Sequence, residues 1–231
     1  MEENNNNNNE KEFSVDINKE ELKNQTKETV NQVKETIKNV DFKKDASATK
    51  SFVLEMIKKP FTTINDIVTE KENRFAIAVI LMICFMVVPA AGYAITYLGN
   101  EYLEFKFVDF LIEAIRPLLY VLAFTTGVVL FGGKDKKNIT TTLSALTIAY
   151  TPKLISGLFS LVYSLVTVKG IGYINSIVSN FASFLAVSLT YVAIKGLITA
   201  DEDEDKLFRK IAVIAGVAFI ILKILNICGI Y

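Results

Sequence analysis

In the stretch Ala149-Tyr150-Thr151-Pro152-Lys153 a lysine directly follows a proline within an otherwise apolar run. Proline removes a backbone amide donor and leaves a carbonyl without its helical partner, and unwound carbonyls are good acceptors for an ammonium group. Lys153 therefore reads either as the structural partner of a kink or as a transport site. Glu113 and Arg116 stand three residues apart, which puts them on one helix face where they can neutralise each other. Two further lysines, Lys195 and Lys223, lie close enough to the ends of apolar runs for their stems to snorkel towards headgroups. Ionisable groups inside such runs are worth this scrutiny because placing one at a membrane helix centre costs on the order of 3 kcal/mol.

Other motifs carry less chemistry. The run Asp201-Glu202-Asp203-Glu204-Asp205 offers oxygen ligands to a hard cation but has neither the glycine turn nor the terminal glutamate of a calcium loop. It reads as a solvated loop, able to attract Lys134, Lys136 and Lys137 across one face of the protein. Gly132-Gly133-Lys134 lacks the full spacing and the Gly-Lys-Ser/Thr ending of a phosphate loop and reads as a helix stop with a tight turn. A Ser-Lys pair, Lys153 with Ser156, is one helical turn apart, with no recognisable oxyanion site nearby. There is no histidine, which excludes Ser-His-Asp triads, Cys-His dyads and histidine metal ligands. Cys84 and Cys228 both sit in apolar runs and behave as small hydrophobes. No catalytic, cofactor-binding or metal-binding residue is assigned, and the chain is expected not to be an enzyme. The residues singled out as functional or kink-site candidates are Pro152, Lys153, Glu113, Arg116, Gly132, Gly133 and Tyr150.

The elements that must position these residues follow from hydropathy. The 25 basic and 25 acidic side chains cancel over 231 residues, but they are unevenly placed. Residues 1–74 are rich in Lys, Glu, Asn and Thr, and from Phe75 onward long apolar runs dominate. Apolar segments are expected at Phe75–Gly99, Phe110–Phe131, Ile139–Val168, Ile171–Ile198 and Leu207–Ile230, each long enough at about 1.5 Å per residue to cross a hydrocarbon core of about 30 Å. The fold class is all-α: a polytopic transmembrane bundle of about five helices behind a disordered N-terminal arm. The third segment exceeds what one crossing requires, so its Thr140, Thr141, Thr142 and Ser144 portion is expected at the interface, ahead of a kink at Pro152. Pro89 and Pro117 predict further kinks, whose freed backbone groups need partners inside the bundle. Small residues four apart, Ala145/Ala149, Ser156/Ser160, Ser179/Ser183, Ala182/Ala186 and Ala212/Gly216, predict close helix packing.

Lys58, Lys59, Lys71, Arg74, Lys134, Lys136, Lys137, Lys206, Arg209 and Lys210 fall on one side of this plan, and Lys106 and Lys169 on the other. The positive-inside bias then puts the N-terminus in the cytoplasm and, with an odd number of spans, the C-terminus outside. Residues 1–50, with the Asn4 to Asn9 run, form a low-complexity arm too poor in apolar surface to fold alone. Val30, Val33, Ile37 and Val40 nevertheless step at coiled-coil spacing. In residues 51–74, Val53, Met56, Ile57, Phe61, Ile64, Ile67 and Val68 recur at helical spacing among charges, the pattern of an amphipathic interfacial segment, broken or restarted at Pro60.

Met56-Ile57-Lys58-Lys59-Pro60-Phe61 before the first span, Leu130-Phe131-Gly132-Gly133-Lys134 after the second and Ala149-Tyr150-Thr151-Pro152 in the third occur in the same order within the same hydropathy plan. In these features the chain, from Phe52 to Ile230, resembles the Yip1 domain family of five-span membrane proteins. The Asp-Leu-Tyr-Gly-Pro motif of many eukaryotic members is missing, so the resemblance is to bacterial-type members and does not extend to association with Rab-type GTPases. It implies no catalytic residues; the abundance of Lys, Asn and Ile suits an AT-rich genome and favours a bacterial plasma membrane over a eukaryotic endomembrane. The resulting expectation is a membrane-anchored interaction or membrane-organising protein, with membrane lipids and a protein partner reached through the arm or loops, and with no nucleic acid. The alternative is a small transporter or channel working as a homo-oligomer, with Lys153, Glu113 and Arg116 lining a path.

Overall fold

Proline and glycine positions set where several helices begin and end. The computed structural model describes residues 19–39, 42–69, 74–98, 102–133, 137–165, 171–198 and 203–230. Among them every regular element is a helix: α1 (Lys19–Asn39), α2 (Phe42–Lys58), α3 (Pro60–Val68), α4 (Phe75–Leu98), α5 (Phe107–Phe131), α6 (Ile139–Ala149), α7 (Thr151–Leu165), α8 (Ile171–Leu197) and α9 (Glu204–Ile227). Pro60 opens α3, where a missing amide hydrogen costs nothing. Gly132 closes α5, and Gly133 follows with φ of +83°, a left-handed turn that glycine enters without penalty. Asn138 caps α6, its side chain accepting from the Thr141 amide at 2.7 Å.

Helices α4, α5, α8 and α9 are each long and apolar enough to cross a membrane, and α6 with α7 forms a fifth such unit bent by 41°. Helices α4 and α5 continue through Pro89 and Pro117. The expected kink at Pro152 is instead a break, centred on Tyr150. The Tyr150 amide still bonds back to Leu146 O, but the next turn is tightened, with the Lys153 amide donating to Tyr150 O at 2.9 Å. Pro152 then occupies the first turn of α7, where it needs no donor.

The long helices form a curved row in the order α9, α5, α4, α7, α8, and α6 packs within it against α4, α5 and α8. Every residue from Thr142 to Ala149 is buried, so α6 is enclosed on all sides while its neighbours keep an apolar face outward. Thr142 and Ser144, in the portion expected at the interface, are enclosed by protein. Ala145/Ala149 and Ala182/Ala186 are buried packing positions as expected. Ala212 and Gly216 are exposed, because α9 meets α5 through the other side of its helix, with Ile214 facing Gly127 and Ala218 and Leu222 facing Ala123.

Helices α1 to α3 cover one end of the bundle, called here the near end, where α4, α6 and α9 begin and α5 and α8 finish. Composition suggests a disordered spacer over residues 1–50; residues 1–18 lie outside the described residues, and residues 19–39 and 42–50 are helical. Tertiary contact supplies what intrinsic propensity lacks. In α2 and α3, Phe52, Met56, Ile64, Ile67 and Val68 are buried on the bundle, each such side chain contributing about 1.5–3 kcal/mol. Of the expected interfacial segment, the described residues 51–69 and 74 lay one apolar face on protein and leave Leu54, Ile57 and Phe61 exposed. The seam in α1 also divides, with Val33 packed on the core and Val30 and Ile37 about half exposed; Val40 is outside the described residues.

Candidate functional site at the broken span

The break between α6 and α7 gathers polar groups from two other helices and an aromatic ring from a third. Tyr150, half-buried at the break, packs edge-on against Phe85 of α4, centroids 5.3 Å apart, and face-on at a tilt against Tyr120 of α5 at 4.6 Å. The Tyr120 hydroxyl lies 3.4 Å from Thr190 Oγ1 of α8. One turn along, Lys153 Nζ donates to Ser183 Oγ of α8 at 3.0 Å, and the Ser183 hydroxyl donates its own hydrogen to Ser179 O at 2.7 Å. Among the described residues Ser183 Oγ is the acceptor that the Lys153 ammonium reaches, and no carboxylate is paired with it. The result is a half-buried cation held by a neutral hydroxyl beside an aromatic cluster, an arrangement suited to an anionic group that approaches between α7 and α8.

This geometry differs from a Ser-Lys catalytic pair. Ser156 donates to the Lys153 backbone carbonyl at 3.0 Å, and Ser183 offers Lys153 a lone pair while sending its proton to Ser179 O. Neither hydroxyl presents a hydrogen to the lysine nitrogen, as an activated nucleophile does.

The other sequence-derived candidates are not brought to the break. Arg116 and Glu113 form a salt bridge of 2.7 Å on α5, the self-neutralising pair their spacing implies. Gly132 and Gly133 stand at the far terminus of the same helix. Gly133 has Lys210 Nζ only 3.2 Å from where a Cβ would sit, so the turn is packed against the start of α9. The Lys137 amide donates to Leu197 O at 3.0 Å, joining the loop before α6 to the end of α8. Lys134, Lys136, Asp201 and Glu202 lie outside the described residues, and Asp203, Glu204 and Asp205 are exposed. Lys195 and Lys223 are exposed, as snorkelling requires.

A second polar locus lies at the near end. Thr140, in the first turn of α6, donates to Gln32 Oε1 at 3.0 Å and lies 3.4 Å from Thr29 Oγ1, both on α1. Beside these contacts is a cavity of about 330 Å³, bordered by Glu28 and Gln32 of α1, Arg74, the cap residue Asn138, and Thr140 and Thr141 of α6. Sequence reasoning missed Tyr120, Thr190, Ser183 and the Thr29/Gln32/Thr140 group. Ser183 carries a signal in its small-residue pairing with Ser179, which points to packing and not to a lysine partner; the others carry none at the level of local pattern. Comparison with models of protein families, with curated proteins and with solved structures finds no match to this chain.

Proposed function

We propose that the chain is a non-enzymatic, multi-pass membrane protein of the Yip1 type, anchored by its helical bundle and acting through contacts made by its N-terminal helices and adjacent loops. The observation that carries this reading is α1. It docks on the bundle through Thr29, Gln32 and Val33 and leaves Val30 and Ile37 about half exposed. A helix fixed to a membrane anchor by one face, with an apolar pair on another, is suited to hold a second helix. The proposed topology has the near end in the cytoplasm and the C-terminus outside. Support for it comes from Lys58, Lys59, Arg74, Lys137, Lys195, Lys206, Arg209 and Lys210, which cluster at the near end, against Lys106 and Lys223 towards the opposite one. The setting favoured by the abundance of Lys, Asn and Ile is a bacterial plasma membrane. Copurification in mild detergent tests the reading: a protein recovered with the wild-type chain is expected to be lost with Val30→Glu/Ile37→Glu while membrane insertion persists. Recovery unchanged by the double substitution refutes it.

The broken span favours a second reading, a small transporter or channel working as an oligomer, since discontinuous helices with polar groups at the break line many transport sites. It requires that purified protein in liposomes move a small ion or solute and that Lys153→Ala stop the movement. Flux equal to that of empty vesicles across a broad panel removes it.

A further inference from the structure

We infer that α2 and the start of α3 form a binding face for anionic lipid in the leaflet next to the near end. On α2 the residues alternate sharply in environment: Phe52 and Met56 are 2% and 3% exposed, whereas Leu54 and Ile57 are 50% and 57% exposed, and Phe61 of α3 is 56% exposed. Lys50, Leu54, Ile57, Lys58 and Phe61 follow one another at helical spacing, all of them exposed, and Lys59 lies beside them. This gives an apolar stripe bordered by three cations, on the side of the helix opposite its protein contact.

Two contacts set the depth of that stripe. The Arg74 guanidinium lies 5.2 Å from the Phe52 ring centroid, and Arg74 immediately precedes the apolar run of α4. Val68 Cγ1 lies 2.7 Å from where a Cβ on Gly196 would sit, and Gly196 follows the exposed Lys195 at the end of α8. Helices α2 and α3 are thereby pinned level with the points where two spans meet the membrane surface. At that depth, large apolar side chains flanked by lysines insert at the boundary between headgroups and acyl chains, and the lysines meet headgroup phosphates. Anionic lipid is the occupant chosen because each lysine near an anionic surface contributes about a fivefold preference. The inference rests on the membrane-anchored reading above but uses no protein partner, so the two fail separately.

The chain has no tryptophan, so a single introduced one reports its own surroundings. The full-length Phe61→Trp protein is reconstituted in vesicles of phosphatidylcholine or of phosphatidylcholine with phosphatidylglycerol, with one or the other lipid brominated on its chains. Leu54→Trp provides an independent position should Phe61→Trp fail to fold. Val30→Trp is the water-exposed reference and Val187→Trp, on the outward face of α8, the lipid-exposed one. Quenching by brominated lipid approaching that of Val187→Trp, together with protection from aqueous acrylamide relative to Val30→Trp, is the expected result. Brominated phosphatidylglycerol should quench more strongly than brominated phosphatidylcholine, and Lys50→Gln/Lys58→Gln/Lys59→Gln should abolish the difference. Acrylamide quenching equal to that of Val30→Trp with no effect of brominated lipid overturns the inference. Lipid quenching with no preference between headgroups overturns its anionic part.

Discussion

Deleting the bond between Lys153 and Ser183 from its two ends should give unequal results. Both substitutions, Ser183→Ala and Lys153→Met, remove the same contact of 3.0 Å. Removing the serine hydroxyl leaves an ammonium in the bundle without its acceptor, and a hydrogen bond to a charged group contributes about 1.5–3 kcal/mol when its loss strands the charge. Replacing the lysine strands nothing, because the Ser183 hydrogen is already given to Ser179 O at 2.7 Å, and methionine keeps most of the apolar stem. Against the lost bond stands the relief from holding a lysine within a span, on the order of 3 kcal/mol at full burial and roughly half that for a half-buried group. The two terms nearly cancel. Lys153→Met should therefore change stability by less than about 1 kcal/mol, Ser183→Ala should cost about 2 kcal/mol, and the double variant should match Lys153→Met. Equilibrium unfolding in mixed detergent and denaturing micelles measures all three. A Lys153→Met cost equal to that of Ser183→Ala would refute the reasoning, since the ammonium would then be holding the break together through interactions beyond this bond.

Four further substitutions test the packing and turns of the bundle. At Gly127 a Cβ would lie 3.0 Å from both Ile214 Cγ2 and the Ile214 carbonyl oxygen, so Gly127→Ala should cost about 1–2 kcal/mol by separating α5 from α9. Gly216→Ala, which meets nothing within 4 Å, should be neutral or stabilising by up to about 1 kcal/mol; equal melting temperatures for the two variants would contradict the helix pairing. Thr142 Oγ1 is buried without a hydrogen-bond partner, so Thr142→Val should stabilise by about 1 kcal/mol, and a lower unfolding midpoint would mean that the hydroxyl is bonded. Gly133→Ala, at φ of +83°, should cost about 1–2 kcal/mol, read as earlier proteolysis or melting at the near end.

The spans were legible because a membrane helix must be apolar over its whole length, and their boundaries fall close to where the charged clusters stop. Pro152 also announced itself, although whether a proline bends a helix or divides it depends on surrounding contacts, and here α6 is held by α1, α3, α4, α5 and α8, whereas α7 packs mainly between α4 and α8. The misread elements share a different cause. In α1 the apolar spacing points to Val30, Val33 and Ile37, yet of these Val33 docks, beside Thr29 and Gln32, whose partner Thr140 lies more than a hundred residues away. Ala145/Ala149 and Ala212/Gly216 have the same spacing and opposite fates, one pair enclosed and the other exposed, since spacing says that a helix can be approached closely but not from which side. In a bundle whose every helix is apolar, hydrophobic periodicity has little left to discriminate. The polar side chains then carry the information about which faces meet, and Lys153 with Ser183, Tyr120 with Thr190 and Thr140 with Gln32 become readable only when the chain has brought them together.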